Sequence, residues 1–156
     1  MLGVTLVKSL ISIDSNILIY AEGVNDEASK NRAGLCIAQL DFAQVYVASQ
    51  ALGELYRVLI QKGGRTSELA LQRVEFWSAS VRILHLTDTS FRAALELATT
   101  HKLQIWDAII LAVSAEQGCR CLLSEDLQDG FVWRGVEVIN PLTRKGMNRL
   151  NEMIAI

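Results

Sequence analysis

Apolar positions along the chain recur with two different periods. Short runs, apolar at nearly every position, lie at SLISI (9–13), QVYVA (44–48), VRILHL (81–86), CRCLL (119–123) and VEVIN (136–140). Their length and β-branched content predict five strands buried on both faces. Between them the apolar residues fall at helical spacing. This predicts a short helix or turn over 15–22 and helices over 26–40, 49–62, 66–79, 88–102 and 105–117. Ser49 is the expected cap of the 49–62 helix, and Gly63-Gly64 its stop. The 66–79 helix carries an apolar stripe through Leu69, Val74, Phe76 and Trp77. Thr87, Asp88 or Thr89 caps the next helix, and Gly118 ends the 105–117 helix. After Pro141 the tail LTRKGMNRLNEMIAI predicts a final helix, whose apolar residues would pack on the body or on a partner chain.

Alternating strands and helices require crossover connections, hence a mainly parallel five-stranded α/β sheet with helices on both sides. With 156 residues, the chain reads as a single domain over 1–156, with its core about residues 10–141 and a tail over 142–156. A hydrophobic content of 51% with one Pro excludes a disordered chain. The formal net charge of −2 means that nucleic acid would have to meet a local basic patch. Cys36, Cys119 and Cys121 are odd in number and read as small core residues rather than a disulfide framework. His85 and His101 stand far apart, without Cys at zinc-ligand spacing. The apolar start MLGVTLVKSLISID lacks a small-residue cleavage site and soon meets Asp14, so a cytoplasmic protein is expected.

One interruption of the pattern carries chemistry. In ISIDSNILIYA an acid, Asp14, stands where a buried strand ends. Ligands of open parallel sheets bind beyond the carboxyl ends of the strands. Asp14 follows strand one, Asp126 follows strand four, and Glu54 and Asp107 lie within apolar helical pattern. Singly, each has an ordinary reading: a cap, a first-turn acid, a turn residue or the edge of a helix stripe. Asp88 reads as a cap only. Together, several carboxylates at one sheet edge repel unless a cation neutralises them, and the cation for an all-oxygen site is Mg²⁺ or Mn²⁺. Such a site suits hydrolysis of phosphodiesters.

Rival sites on similar folds lack their residues. An aspartyl-phosphate enzyme with D-x-D would need Asp at position 16, which is Asn16. A receiver domain would need an acid pair after strand one and a lysine after the last strand. No G-x-G-x-x-G run, P-loop or G-x-S-x-G elbow is present.

The ordered set Asp14-Ser15-Asn16, Glu54, Trp106-Asp107-Ala108 and Ser124-Glu125-Asp126 with Asp129 resembles the PIN domain, and more narrowly the ribonuclease toxins of VapBC-type toxin–antitoxin pairs. The resemblance covers about residues 10–141. It implies a three-layer α/β/α sandwich and a ribonuclease that uses one or two Mg²⁺ or Mn²⁺ ions on single-stranded RNA. Asp14, Glu54, Asp107 and Asp126 match the acid quartet, with Ser15, Asn16 and Ser124 as its polar supports. Asp129 is an alternative or assistant to Asp126, and Gly130 departs from the aromatic common there. Arg57, Lys62, Arg65 and Arg134 are candidate RNA contacts, with Phe131 and Trp133 as stacking surfaces. The resemblance further implies an antitoxin partner, laid over the helices of 26–40 and 49–62, and a homodimer. The alternatives are a non-catalytic RNA-binding or scaffold protein of this fold, and a nuclease that processes RNA or cuts DNA.

Overall fold

The computed structural model describes residues 8–155. The chain runs β1 (Ile11–Ile13), α1 (Ser15–Ala21), α2 (Glu27–Ala38), β2 (Val45–Ala48), α3 (Ser49–Gln61), α4 (Ser67–Ser80) and β3 (Arg82–Leu84). It continues through α5 (Asp88–His101), α6 (Ile105–Gln117), β4 (Cys121–Leu123), β5 (Val132–Trp133), β6 (Val136–Ile139) and α7 (Arg144–Ile154). The strands form one sheet in the order β3-β2-β1-β4-β6-β5. All pairs are parallel except β5 with β6. Every position of β1, β2 and β4 is buried, as a sheet covered by helices on both faces requires.

The sheet has six strands rather than the expected five. β5 is only two residues long, too short for any hydrophobic period to register. It returns on β6 through Arg134-Gly135, both at positive φ (45° and 81°), the backbone of a tight hairpin. The expected strands are trimmed at their ends, and 81–86 shortens to Arg82–Leu84. Cys36, Cys119 and Cys121 are buried and unpaired, as expected of core residues.

Several local expectations change. Ser49 is the first residue of α3, and Ala48 is the cap, with no side-chain bond. Thr87 caps α5 in a reciprocal arrangement with Ser90, while Asp88 is an exposed first-turn acid paired with Arg92 at 3.0 Å. The stripe of α4 does not all face inward: Trp77 is buried, Val74 is half-buried, and Leu69 and Phe76 are exposed. Ala70 is the other buried residue of α4. The tail helix α7 packs on its own chain, with Leu150 and Met153 buried. Its close approach needs Gly146, because a Cβ there would lie 1.7 Å from the Asn140 carbonyl oxygen.

The path from β3 to β4 decides where the site lies. Gly118, at φ 85°, ends α6, and the chain enters β4 three residues later, parallel to β1. Helix α6 must therefore run against the strands, with its first turn at their carboxyl ends. A buried pin holds it there: Ser12 of β1 donates to Ser114 of α6 at 2.7 Å, and Ser114 donates to the Ile110 carbonyl at 2.7 Å. Among the described residues no helix is long and apolar enough to cross a membrane.

Candidate active site

Asp14 stands where β1 ends and α1 begins. Its backbone N–H extends the β1–β4 ladder by donating to the Leu123 carbonyl at 2.9 Å, and its side chain caps α1 by accepting from Ser15 N at 2.7 Å. Ser124, just past β4, donates its hydroxyl to the other carboxylate oxygen at 2.8 Å. Asn16 reaches both Asp14 and Ser124 at 3.5 Å, and its amide oxygen accepts from Glu125 N at 3.3 Å. The capping and the functional reading of Asp14 are therefore one arrangement: a 2% exposed acid with its lone pairs met by chain ends. Beyond it, Tyr20 of α1 hydrogen-bonds the Glu125 carboxylate, a second tie between α1 and the loop carrying Asp126.

Asp14, Glu54, Asp107 and Asp126 line one cavity of about 620 Å³, with Ser15, Gln50, Arg57, Gln104 and Trp106 on its wall. Glu54 comes from α3 and Asp107 from the first turn of α6. Asp126 is exposed in the loop after β4. Electrostatics mark the same spot. Burial pushes the Asp14 carboxyl up to about 6; the Ser124 and Ser15 donors oppose this, and the charges of Asp107 and Asp126 add to it. Asp107 is also raised, by its own burial and then by Asp126. Among the described residues, none of these three acids forms an ion pair.

Arg57 is the cation on the wall, and it is committed to Glu54: Nε to Oε2 at 3.0 Å and Nη2 to Oε1 at 2.5 Å. Among the described residues no three acids, histidines or cysteines stand close enough together to hold a metal ion. The donor set itself suits Mg²⁺ or Mn²⁺: oxygen ligands only, mutually repelling, partly open to water. The Glu54–Arg57 pair lies on an exposed helix face, where such pairs are weak and side chains turn freely.

The remaining expected residues separate. Asp129 accepts from Asn140 N at 2.9 Å and lines a different cavity, with Arg144 and Lys145, so it does not share the quartet's space. Lys62 lines a neighbouring cavity of about 490 Å³ that shares Ser15, Glu54 and Asp126 with the first. Arg65 is turned away, bonded to the Glu22 carbonyl and 3.5 Å from its carboxylate. Arg134 lies over the Trp133 ring at 4.5 Å, and Phe131 meets His101 edge-on, both outside the acid cavity. Gln50 and Gln104 were not singled out in the sequence, and Trp106 only as a neighbour of Asp107. For Trp106 a signal was present, a large aromatic beside Asp107 in the first turn of a helix.

Fold and site together define a small α/β protein with carboxylates gathered at the carboxyl edge of a parallel sheet. The PIN domain model matches residues 11–129, and the chain belongs to that family. No curated protein matches it. Among solved structures it is similar to VapC20 of Mycobacterium tuberculosis, a sarcin-ricin loop cleaving toxin, at 22% identity and a TM-score of 0.64, covering 74% of this chain and 89% of that one. It is also similar to a toxin–antitoxin complex from Klebsiella pneumoniae at 19% identity and a TM-score of 0.65, covering 84% and 97%. A third is VapBC2 of Rickettsia felis bound to a DNA fragment from its promoter, at 13% identity and a TM-score of 0.60, covering 83% and 96%.

Proposed function

We propose that this protein is a divalent-metal-dependent ribonuclease that hydrolyses phosphodiester bonds of single-stranded RNA, acting as the toxin of a toxin–antitoxin pair. The observation that carries the reading is the convergence of Asp14, Glu54, Asp107 and Asp126 on one cavity, with Asp14 held nearly dry and pushed up to about 6. A buried acid facing two others is a standing cost to the fold unless a cation or a substrate uses it. The toxin role draws on the structural neighbours, which include toxin–antitoxin complexes.

Asp14, Asp107 and Asp126 would hold one or two Mg²⁺ or Mn²⁺ ions, with Glu54 joining directly or through water once it turns from Arg57. The bound ion supplies Lewis-acid activation of water and offsets charge on the leaving oxygen. Ser124 and Ser15 N fix the rotamer of Asp14, so that its carboxylate meets the ion without reorganising. Asn16 and Tyr20 tie the loop that carries Asp126 to α1. Lys62 and a released Arg57 would meet phosphates beside the cleaved bond. An antitoxin would cover the exposed sides of α2 and α3, where Leu35 and Tyr56 are exposed, and would face a homodimer of single-domain chains.

The test is cleavage of single-stranded RNA by purified protein with Mn²⁺, with EDTA, and with Asp14→Asn in place of wild type. Only the first should cut. A scaffold reading draws on one observation, the separation of the acids. It would be adopted if Mn²⁺ neither raised the melting temperature nor supported cleavage.

A further inference from the structure

We propose that Trp106 is the stacking surface for a nucleobase beside the cleaved phosphodiester, so that RNA is held by a base on one side of the carboxylates and by a phosphate on the other. This rests on the ribonuclease reading of the same cavity.

The three tryptophans differ in their company. Trp77 is buried, donates its indole N–H to Glu22 at 3.2 Å, and packs against Phe42 and Phe76. Trp133 lies under the Arg134 guanidinium. Trp106 has no aromatic, cationic or hydrogen-bonding partner among the described residues, and it is 67% exposed. A lone exposed apolar residue on an open surface needs no explanation. Trp106 is elsewhere: it lines the cavity of Asp14, Asp107 and Asp126, in a helical turn whose dipole favours small acids over a bare indole.

The chemistry of the cavity calls for such a surface. An RNA strand gains nothing electrostatically by approaching carboxylates, so contacts that do not depend on charge must hold it. Base–aromatic stacking is uncharged, tolerant of base identity, and worth about tenfold to a hundredfold in affinity per base. The adjoining cavity shares Ser15, Glu54 and Asp126 and is also lined by Tyr20, Asn25 and Lys62. Trp106 thus lines only the first cavity and Lys62 only the second, while Glu54 and Asp126 line both. A strand stacked on Trp106 and paired through a phosphate with Lys62 crosses them with its backbone. Duplex RNA does not offer a free base face and would not engage Trp106.

The experiment uses the full chain carrying Asp14→Asn, which removes cleavage, and a short fluorescein-labelled single-stranded oligoribonucleotide of mixed sequence. Binding should quench tryptophan fluorescence, and the duplex form should not. Adding Trp106→Ala should abolish the quench and weaken binding about tenfold to a hundredfold. Adding Trp106→Phe should abolish the quench while keeping most of the affinity, since a ring remains. Calorimetric Mn²⁺ titration of Trp106→Ala alone should match wild type, showing the acid cavity intact. In the cleaving protein, Trp106→Ala should raise KM with kcat little changed. Oligonucleotide binding that neither quenches Trp106 nor responds to Trp106→Ala overturns the proposal while leaving the ribonuclease reading standing. A Trp106 that serves a protein partner would give that result. If the Asp14→Asn protein binds no RNA and wild type cuts none with Mn²⁺, the ribonuclease reading falls, and this proposal with it.

Discussion

Two cavities of similar size differ in how their charges are arranged. One, of about 560 Å³ between β6 and α7, is lined by Asp129, Glu137, Arg144, Lys145, Arg149 and Glu152. There each acid faces a donor. Arg149 clamps Glu137 through two bonds, at 2.8 Å and 2.9 Å, and holds its carboxyl below the usual range. The Asn140 N–H meets Asp129. The other cavity, of about 620 Å³ at the sheet edge, is lined by four acids and one cation, Arg57, which is spent on Glu54; burial and repulsion raise Asp14 and Asp107. The first arrangement fastens α7 to the sheet. The second stores unfavourable charge that a bound cation would relieve, which is why only the second reads as a site.

The comparison breaks most visibly at Asp14. Asp14→Asn should lower the RNA cleavage rate more than a hundredfold, since loss of mere supporting groups around a metal already costs about 10–100-fold. The same change should stabilise the metal-free protein at neutral pH. Folding moves this carboxyl from 3.8 to about 6, so the folded state binds more protons than the unfolded state in between. Wild-type stability should therefore lose about 3 kcal/mol to Asp14 as pH rises from about 4 to 6, and stay lower above that. Denaturant melts of wild type and Asp14→Asn across pH 4–8, both with EDTA, measure it. Their difference isolates Asp14 from Glu137, whose lowered carboxyl contributes with the opposite sign. Parallel curves would mean that Asp14 is not held in a desolvated state. Mn²⁺ should restore wild-type stability and leave the variant unmoved.

A smaller break is Ser124→Ala. It removes the 2.8 Å donor to Asp14 and loosens the carboxylate without deleting it. Cleavage and Mn²⁺ affinity should each fall about 10–100-fold, with the fold retained. Glu137→Gln is the control from the balanced cavity: it should loosen α7 and leave the cleavage rate unchanged. Equal losses of activity in the two variants would mean that Ser124 acts only through stability.

These contrasts also mark what was legible in the sequence. The strands were readable because burial on both faces leaves a continuous apolar run, and Gly118 was readable as a stop because few other residues accept its φ of 85°. Asp14 was readable because an acid at the end of such a run is rare. Asp107 was legible only as an acid within an apolar helical pattern. Its helix follows another helix, and it reaches the edge because α6 must run back to start β4, a constraint of topology rather than of local pattern. What could not be read was set by contacts between distant segments. Arg65 looked like an RNA contact by proximity to Glu54 in the chain, yet Glu22 claims it, together with Arg73 at 2.5 Å. Asp129 stands three residues from Asp126, but Asn140 turns it outward. The two-residue β5 exists only because β6 is beside it.

The smallest expected effect concerns Arg57, where the two arrangements of charge meet. It is the cation on the wall of the acid cavity, and it pairs with Glu54 of α3. On the proposed function, Arg57 would compete with the ion for Glu54 in metal loading, and in substrate binding it would be a cation near phosphates. Arg57→Gln should therefore move two affinities in opposite directions. Mn²⁺ binding, followed by calorimetry without RNA, should tighten by roughly twofold, the scale of a broken exposed i,i+3 pair. Binding of single-stranded RNA to the Asp14→Asn background should weaken and lose part of its salt dependence, because one phosphate contact goes with the charge. If both affinities weaken, Glu54 needs Arg57 to hold its rotamer, and the pair belongs with the fastened carboxylates of the α7 cavity. If neither moves, the pair is a surface contact that metal and substrate both ignore.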